Sequence, residues 1–243
     1  MKKALISLIA GLACLAGAPG LWAAGTPIQA IDSGSYGIYV NGKRVATETF
    51  KIEQKAGGNT FYAEIRVQDG SSKPTQTSEI QLSAIGELKH YEWHQFSPSE
   101  AQAVITPSEP FLVEHLSNGP GQKPVEQPFM LPTTTLVLDN NFFSQRELLA
   151  WRYMAIGCKQ NAGHTECRLQ PTKFGVLVPQ GLTSASVEMD YGGRETVSVH
   201  GTPRELTRLN LNSDGAQWSL WLDDNYKLIR ILVPSENTEV VRD

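Results

Sequence analysis

Residues 61–68 read Phe-Tyr-Ala-Glu-Ile-Arg-Val-Gln, and the alternation within them decides the fold class. The odd positions are apolar, and the even positions carry polar groups. The same period of two recurs at residues 79–84 and 184–189. Successive side chains of a strand point to opposite faces, so each stretch predicts a strand with one face in a core and one in water. That pattern is typical of antiparallel sheets.

Turn signals separate these strands. Asn41 and Gly42 lie between two strand-like stretches, at residues 36–40 and 44–52, and an Asn-Gly pair there is a strong hairpin signal because both residues tolerate positive φ. Further reversals are predicted at residues 57–59, 69–70, 192–193, 214–215 and 223–225. Hairpins that follow one another along the chain predict a meander without helical crossovers.

One segment, from Phe142 to Ile156, has helical spacing instead. Phe142, Leu149, Tyr153 and Ile156 share one face, and other apolar side chains widen it. Residues 139–141 offer side-chain oxygens as N-caps. A helix this apolar is expected to be buried on more than one side. The fold predicted is therefore mainly β: a long curved antiparallel sheet, as a half-barrel or open barrel, with one main helix packed on its concave face. The proline-rich residues 107–132 are expected to form a loop or edge strands.

The N-terminus has the layout of a secretory signal peptide. Lys2 and Lys3 precede an apolar run that ends before Pro19, and it is too short to span a bilayer well. Cleavage after Ala23 or Ala24 leaves a signal peptide at residues 1–24 and one β-rich domain at residues 25–243. The location expected is the periplasm or the exterior, with an outer-membrane lipoprotein attached through Cys14 as the alternative.

Charge argues against nucleic acid as a partner. The chain has a formal net charge of −4, and loss of Lys2 and Lys3 with the signal changes it to −6. A mildly acidic protein has no basic field that would attract phosphates.

Two cysteines remain after cleavage, Cys158 and Cys167. A pair in an oxidising compartment is most simply a disulfide. Their spacing differs from the Cys-x-x-Cys of redox enzymes, and His164 alone cannot complete a zinc site.

Catalytic signatures are weak. His90, Glu92 and His94 share one face of a strand and could in principle hold a metal. However, strand geometry places the two histidines roughly 13 Å apart, too far for one ion. No cofactor-binding motif or nucleophile elbow is recognised, and no metal or catalytic residue is predicted.

Large apolar side chains on the helix and on a late strand are the candidates for a ligand cavity. Core packing explains most such residues, but a curved sheet around one helix can leave apolar space, and such space is the default binding site. The predicted lining consists of Phe142, Leu149, Trp151, Tyr153, Ile156, Trp218 and Leu220.

The order of elements, the residues VLDNNF at 137–142 and the residues WLDDNYKLIRI at 221–231 resemble LolA-like periplasmic half-barrels, and more specifically uncharacterised exported bacterial families of that architecture. The resemblance covers most of residues 34–243 and implies a carrier of acyl chains in the concave face. The function expected is a periplasmic binder of a lipid or other apolar ligand. Two alternatives stay open. One is a structural module that offers sheet edges or residues 107–132 to an envelope protein. The other is a metal-dependent hydrolase using His90, Glu92 or His94.

Overall fold

The computed structural model describes residues 29–55, 57–68, 71–161, 164–167, 170–213 and 215–243. The predicted signal peptide, its cleavage site and Cys14 therefore lie outside the described residues, and so does the predicted turn at residues 69–70. In the part that is described, no helix is long and apolar enough to span a bilayer.

The first half of the chain is a meander of strands joined by short turns. Its strands are β1 (Gln29–Val40), β2 (Lys43–Lys55), β3 (Gly58–Val67), β4 (Gln76–Leu82), β5 (Leu88–Gln95), β6 (Ala101–Ser108), β7 (Phe111–Ser117) and β8 (Val125–Phe129). Each pairs antiparallel with the next. The predicted Asn41-Gly42 hairpin joins β1 to β2, and both turn residues have positive φ (52° and 74°).

The second half starts with a short strand and the helix and then forms a second meander. Its elements are β9 (Leu136–Val137), α1 (Gln145–Gly157), β10 (Cys158–Asn161), β11 (His164–Cys167), β12 (Thr172–Val178), β13 (Thr183–Val199), β14 (Thr202–Ser213), β15 (Ala216–Leu222), β16 (Leu228–Val233) and β17 (Thr238–Arg242). Two 3-10 turns, Pro179–Gly181 and Pro234–Glu236, follow β12 and β16.

Fifteen of the described strands form one sheet in the order β8-β7-β6-β5-β4-β3-β2-β1-β17-β16-β15-β14-β13-β12-β9. The two meanders meet where β1 pairs with β17, with Tyr36 opposite Arg242. Strand β9 pairs in parallel with β12, and β10 and β11 form a separate hairpin. The sheet is curved and open, and its free edges are β8 and β9.

Side-chain alternation builds the inner face, as predicted. On β3, Phe61, Ala63 and Ile65 are almost fully buried, while Tyr62 is 39% exposed on the outer face. The inward side chains of both meanders form one hydrophobic cluster that also includes Leu149 from α1. Burying one such large apolar side chain contributes about 1.5–3 kcal/mol.

Helix α1 lies on the concave face of the sheet, and strands from both meanders surround it. Side chains of α1 bond to β4 through Gln145 and to the start of β16 through Glu147. The mainly β class with one helix on the concave face is therefore confirmed.

Two details of the helix prediction were wrong. Residues 139–141 do not cap the helix. Ser144 precedes it without a side-chain cap bond, and the carboxylate of Glu48 accepts the N–H groups of Phe143 and Ser144 instead. Ile156 was placed on the buried face, but it is 52% exposed at the end of the helix, directly before the β10–β11 hairpin.

The edges of the sheet curl towards one another. The 3-10 turn Pro179–Gly181 contacts β6 and β7, and Gln180 there donates to Asp139 just before the helix. Edge strand β8 contains Pro128, which lacks the N–H that pairing requires. The proline-rich stretch thus supplies an edge strand, as predicted.

Candidate functional site

One side of α1 is not covered by the sheet. Leu148, Trp151, Arg152 and Ala155 lie on this side and are partly or fully exposed. Their spacing of three and four residues keeps them on one stripe of the helix. Leu149 and Ala150, which point to other sides of the helix, are buried in the core. The helix therefore has one stripe that faces the core and one that borders open space.

A cavity of about 460 Å³ opens beside the C-terminal half of this stripe. The lining is mostly apolar, with two lysines and an asparagine at the β15–β16 turn and the start of β10. Its residues are Ile31, Trp151, Met154, Ala155, Cys158, Lys159, Asn225, Tyr226 and Lys227.

A second cavity of about 390 Å³ lies beside the N-terminal half of the stripe. Its lining consists of Ile31, Ile52, Asn59, Leu82, Ile85, Gly86, Leu136, Leu148, Trp151 and Arg152. Ile31 and Trp151 line both cavities, so the two cavities are neighbours on the same side of α1. Together they are called here the Trp151 cleft, and each cavity is one lobe of it. Each lobe has the volume of a small-molecule site, about 300–1,000 Å³.

Trp151 is held in place at the centre of the cleft. Its indole N–H donates to the backbone oxygen of Tyr226, at 2.7 Å. Tyr226 lies in the β15–β16 turn, where one carboxylate oxygen of Asp223 accepts the N–H groups of Asn225 and Lys227, each at 2.9 Å. The predicted turn at residues 223–225 therefore fixes one wall of the cleft against the helix.

A buried ionic group lies next to Lys227, which lines the larger lobe of the cleft. Asp32, 3% exposed, accepts both guanidinium nitrogens of Arg242 (2.9 and 2.8 Å) and the ammonium of Lys227 (2.8 Å). Burial alone would raise the pKa of Asp32, but these cationic partners lower it to about 2. Neighbouring Glu147 is fully buried, and burial together with the charge of Asp32 raises its pKa to about 9. Asp32 is therefore ionised and Glu147 protonated at neutral pH.

A second buried polar group surrounds the start of α1. Glu48 accepts the N–H of Phe143 at 2.8 Å, the N–H of Ser144 at 3.0 Å and the Ser144 hydroxyl. Burial raises the pKa of Glu48 to about 7, although these hydrogen bonds act in the opposite direction and lower it. Neither Glu48 nor Ser144 lines either lobe of the cleft. These bonds fix the position of the helix inside the sheet.

Arg146 completes this group. Its guanidinium lies 4.7 Å from the ring centre of Trp218 and donates to the backbone oxygens of Asp139 and Phe142. Burial lowers the pKa of Arg146 to about 10, so it stays charged. Tyr91 donates to Asp139 at 2.6 Å on the far side. Backbone oxygens and the neighbouring aromatic ring thus provide most of the contacts that a buried guanidinium requires.

The predicted lining residues are distributed between the core and the cleft. Trp151 lines both lobes. Trp218 is half-buried between Phe143 and Arg146. Ile156 is exposed, and the remaining four are fully buried in the core: Phe142, Leu149, Tyr153 and Leu220.

Sequence reasoning missed most of the observed lining. Met154 and Ala155 were not among the candidates although both are on the helix. Ile31 lies on β1 and Lys227 in the β15–β16 turn, near opposite ends of the chain. The available signal was the stripe at residues 148, 151, 152 and 155, where a charged Arg152 lies among apolar residues that were expected to widen the buried face.

The histidine face of β5 is an ordinary polar surface. Nε2 of His94 lies 2.8 Å from Glu92, and Nε2 of His90 lies 3.7 Å from it. Both histidines are thus partners of the same carboxylate. Among the residues that the structure describes, no group of three His, Cys, Asp or Glu side chains is arranged to hold a metal ion.

The predicted disulfide is confirmed. Cys158 and Cys167 are bonded and lie opposite each other in the β10–β11 hairpin. Cys158 also lines the cleft, so the disulfide holds the hairpin where it closes one end of the larger lobe.

Comparison with known proteins adds little to this geometry. No family model matches the chain, and no curated protein matches it. Among solved structures, it is similar to a β-barrel-like protein of the domain of unknown function DUF1849 from Brucella abortus. The two share 12% identity with a TM-score of 0.48, over 87% of this chain and 94% of the other. The barrel-like curvature expected from the LolA resemblance is present, while membership of the LolA-like superfamily stays a prediction.

Proposed function

We propose that the protein is an exported envelope protein that binds a lipid or another apolar ligand in the Trp151 cleft. The observation that carries the proposal is the apolar groove along the outer stripe of α1, with lobes of about 460 and 390 Å³. The helix already occupies the concave face, so the ligand lies at the rim of the half-barrel, beside the helix.

The chemistry of the lining favours an extended apolar ligand. Trp151 separates the lobes, and Ile31, 40% exposed, faces it from β1. Transferring apolar surface from water into such a groove stabilises a complex by about 25 cal/mol per Å². Ile85 is 81% exposed at the end of the smaller lobe, where a bound chain would cover it.

Binding of the neutral probe N-phenyl-1-naphthylamine to mature protein tests the proposal. We expect saturable fluorescence enhancement and a loss of about thirtyfold in affinity for Trp151→Ala, the size of a hot-spot truncation. Phe96→Ala is the matched control, because Phe96 is 51% exposed and does not line the cleft. Absence of saturable binding, or equal losses in both variants, contradicts the proposal.

Export is tested separately. Periplasmic extraction followed by intact mass measurement should give a chain that starts at residue 24 or 25 and carries the disulfide. Full-length protein in the cytoplasmic fraction contradicts export. A chain that begins at a lipidated Cys14 shows that the exported protein is a lipoprotein.

A protein-interaction module is the second candidate. Val125 and Met130 are 49% and 79% exposed on and beside the edge strand β8. Val125→Glu with Met130→Glu should abolish co-purification of an envelope partner without changing the unfolding midpoint. Unchanged co-purification excludes this surface.

A further inference from the structure

The Trp151 cleft carries a charge opposite to that of the chain. Its charged lining residues are Lys159 and Lys227 in the larger lobe and Arg152 in the smaller one. No Asp or Glu is among the described residues that line it. The whole chain has a net charge of −4, so this concentration of positive charge around an apolar groove is local.

Asp32 neutralises the charge of Lys227 only in part, although the two groups are in contact. Asp32 is also paired with Arg242 through both carboxylate oxygens. Glu147, protonated at neutral pH, adds no negative charge. One carboxylate thus faces two cations, so the group formed by Asp32, Glu147, Lys227 and Arg242 has a net charge of about +1. Lys227 is the member of this group that lines the cleft.

The other two cations, Lys159 and Arg152, differ in which groups they already contact. Lys159 is exposed at the mouth of the larger lobe and lies opposite Glu166 in the hairpin, which offsets part of its charge. Arg152 donates to the backbone oxygen of Thr134 at 2.6 Å, which directs its guanidinium towards the β9 side. Positive charge with free donors is therefore concentrated at the larger lobe, where Asn225 adds an amide.

We propose that the natural ligand is a single-chain amphiphile with a negatively charged head group, bound with the head between Lys159 and Lys227 and the chain along Trp151 into the smaller lobe. This inference rests on the proposed function, because it assigns the polar end of the ligand in that cleft. A neutral head group would leave Lys227 without a counter-ion beyond the shared Asp32.

Displacement of N-phenyl-1-naphthylamine by two lysophospholipids with the same 14-carbon chain tests it, each below its critical micelle concentration. Lysophosphatidylglycerol carries one negative charge, and lysophosphatidylcholine carries none in net terms. We expect about five- to tenfold tighter binding of the glycerol lipid at low salt, with the difference falling at high salt. Lys227→Met and Lys159→Met should each reduce the preference, and Lys173→Met, on the exposed face of β12, should leave it unchanged.

The outcomes separate the two proposals. Equal binding of both lipids, with the probe still bound, overturns the charged head group and leaves the apolar cleft. Failure of the probe and of both lipids overturns the cleft itself. If Lys227→Met does not fold, the salt dependence in the unaltered protein and in Lys159→Met decides: a preference for lysophosphatidylglycerol that does not change with salt overturns the inference.

Discussion

Replacing Glu147 by Gln should make the protein more stable at neutral pH, although the change removes a buried acid from a hydrogen-bonded group. Glu147 is fully buried, receives the Tyr36 hydroxyl at 3.4 Å and the N–H of Leu228 at 3.3 Å, and adjoins the ionised Asp32. Burial and that neighbouring charge raise its pKa from 4.5 to about 9. The folded protein must therefore keep a proton that the unfolded chain has released.

The sign and size follow from proton linkage. Between pH 4.5 and pH 9 the folded state binds more protons than the unfolded state, so stability is fully present below the unfolded pKa and is lost as pH rises. At pH 7.5 the cost is about 4 kcal/mol, at about 1.4 kcal/mol for each pH unit above the unfolded pKa. A Gln amide stays neutral and can still donate to Asp32. Allowing for one poorer hydrogen bond, we expect a gain of about 2–4 kcal/mol at pH 7.5.

Urea unfolding followed by tryptophan fluorescence at pH 5, 7.5 and 9 measures the effect. The difference between Glu147→Gln and the unaltered protein should be small at pH 5 and should grow with pH. Glu100→Gln, at an exposed loop position, is the control and should change stability by less than about 0.5 kcal/mol. A Glu147→Gln protein that is less stable at pH 7.5 and keeps the original pH slope would refute the assignment of a protonated Glu147.

Three further changes test other contacts by the same unfolding measurement. Glu48→Ala removes the acceptor of two backbone N–H groups and one hydroxyl at the start of α1, and we expect a loss of at least about 3 kcal/mol; a loss below about 1 kcal/mol contradicts its capping role. Glu114→Leu replaces a fully buried carboxyl that has no hydrogen-bond partner in the described part of the chain, and whose pKa burial raises to about 8. We expect a gain of about 1–3 kcal/mol above pH 7, and a loss would indicate an unseen partner. The double variant Cys158→Ala, Cys167→Ala should lose about 2–3 kcal/mol by releasing the hairpin, and an unchanged midpoint would show that the disulfide adds no stability.

Local sequence predicted those features that depend on neighbouring residues. The alternation in residues 61–67 predicted a strand with Phe61 and Ile65 inside, because the strand period is a property of the backbone alone. Asn41-Gly42 predicted the first hairpin because the tolerance of both residues for positive φ is also a local property. The disulfide was predictable because Cys158 and Cys167 are the two cysteines outside the predicted signal peptide, and the chain between them is short.

The candidate site was less predictable because α1 is apolar around most of its circumference. Trp151 and Tyr153 are two residues apart and equally aromatic, yet Trp151 lines the cleft and Tyr153 is buried in the core. Sequence periodicity shows that a helix has faces, but the position of the sheet determines which face is covered. The second wall of the cleft comes from Ile31 and Lys227, which are far apart along the chain.

The sequence by itself determined a mainly β chain with one helix and a short disulfide loop, since strand period, turn chemistry and cysteine spacing act over a few residues. Only the tertiary structure decided where charge is buried and where apolar surface stays open. Asp32 and Arg242 are 210 residues apart, and Glu48 caps a helix that begins almost a hundred residues later. Both contacts exist because β1 pairs with β17 and the curved sheet encloses α1. Contacts at such separations depend on the assembly and curvature of the whole sheet, which no local pattern encodes.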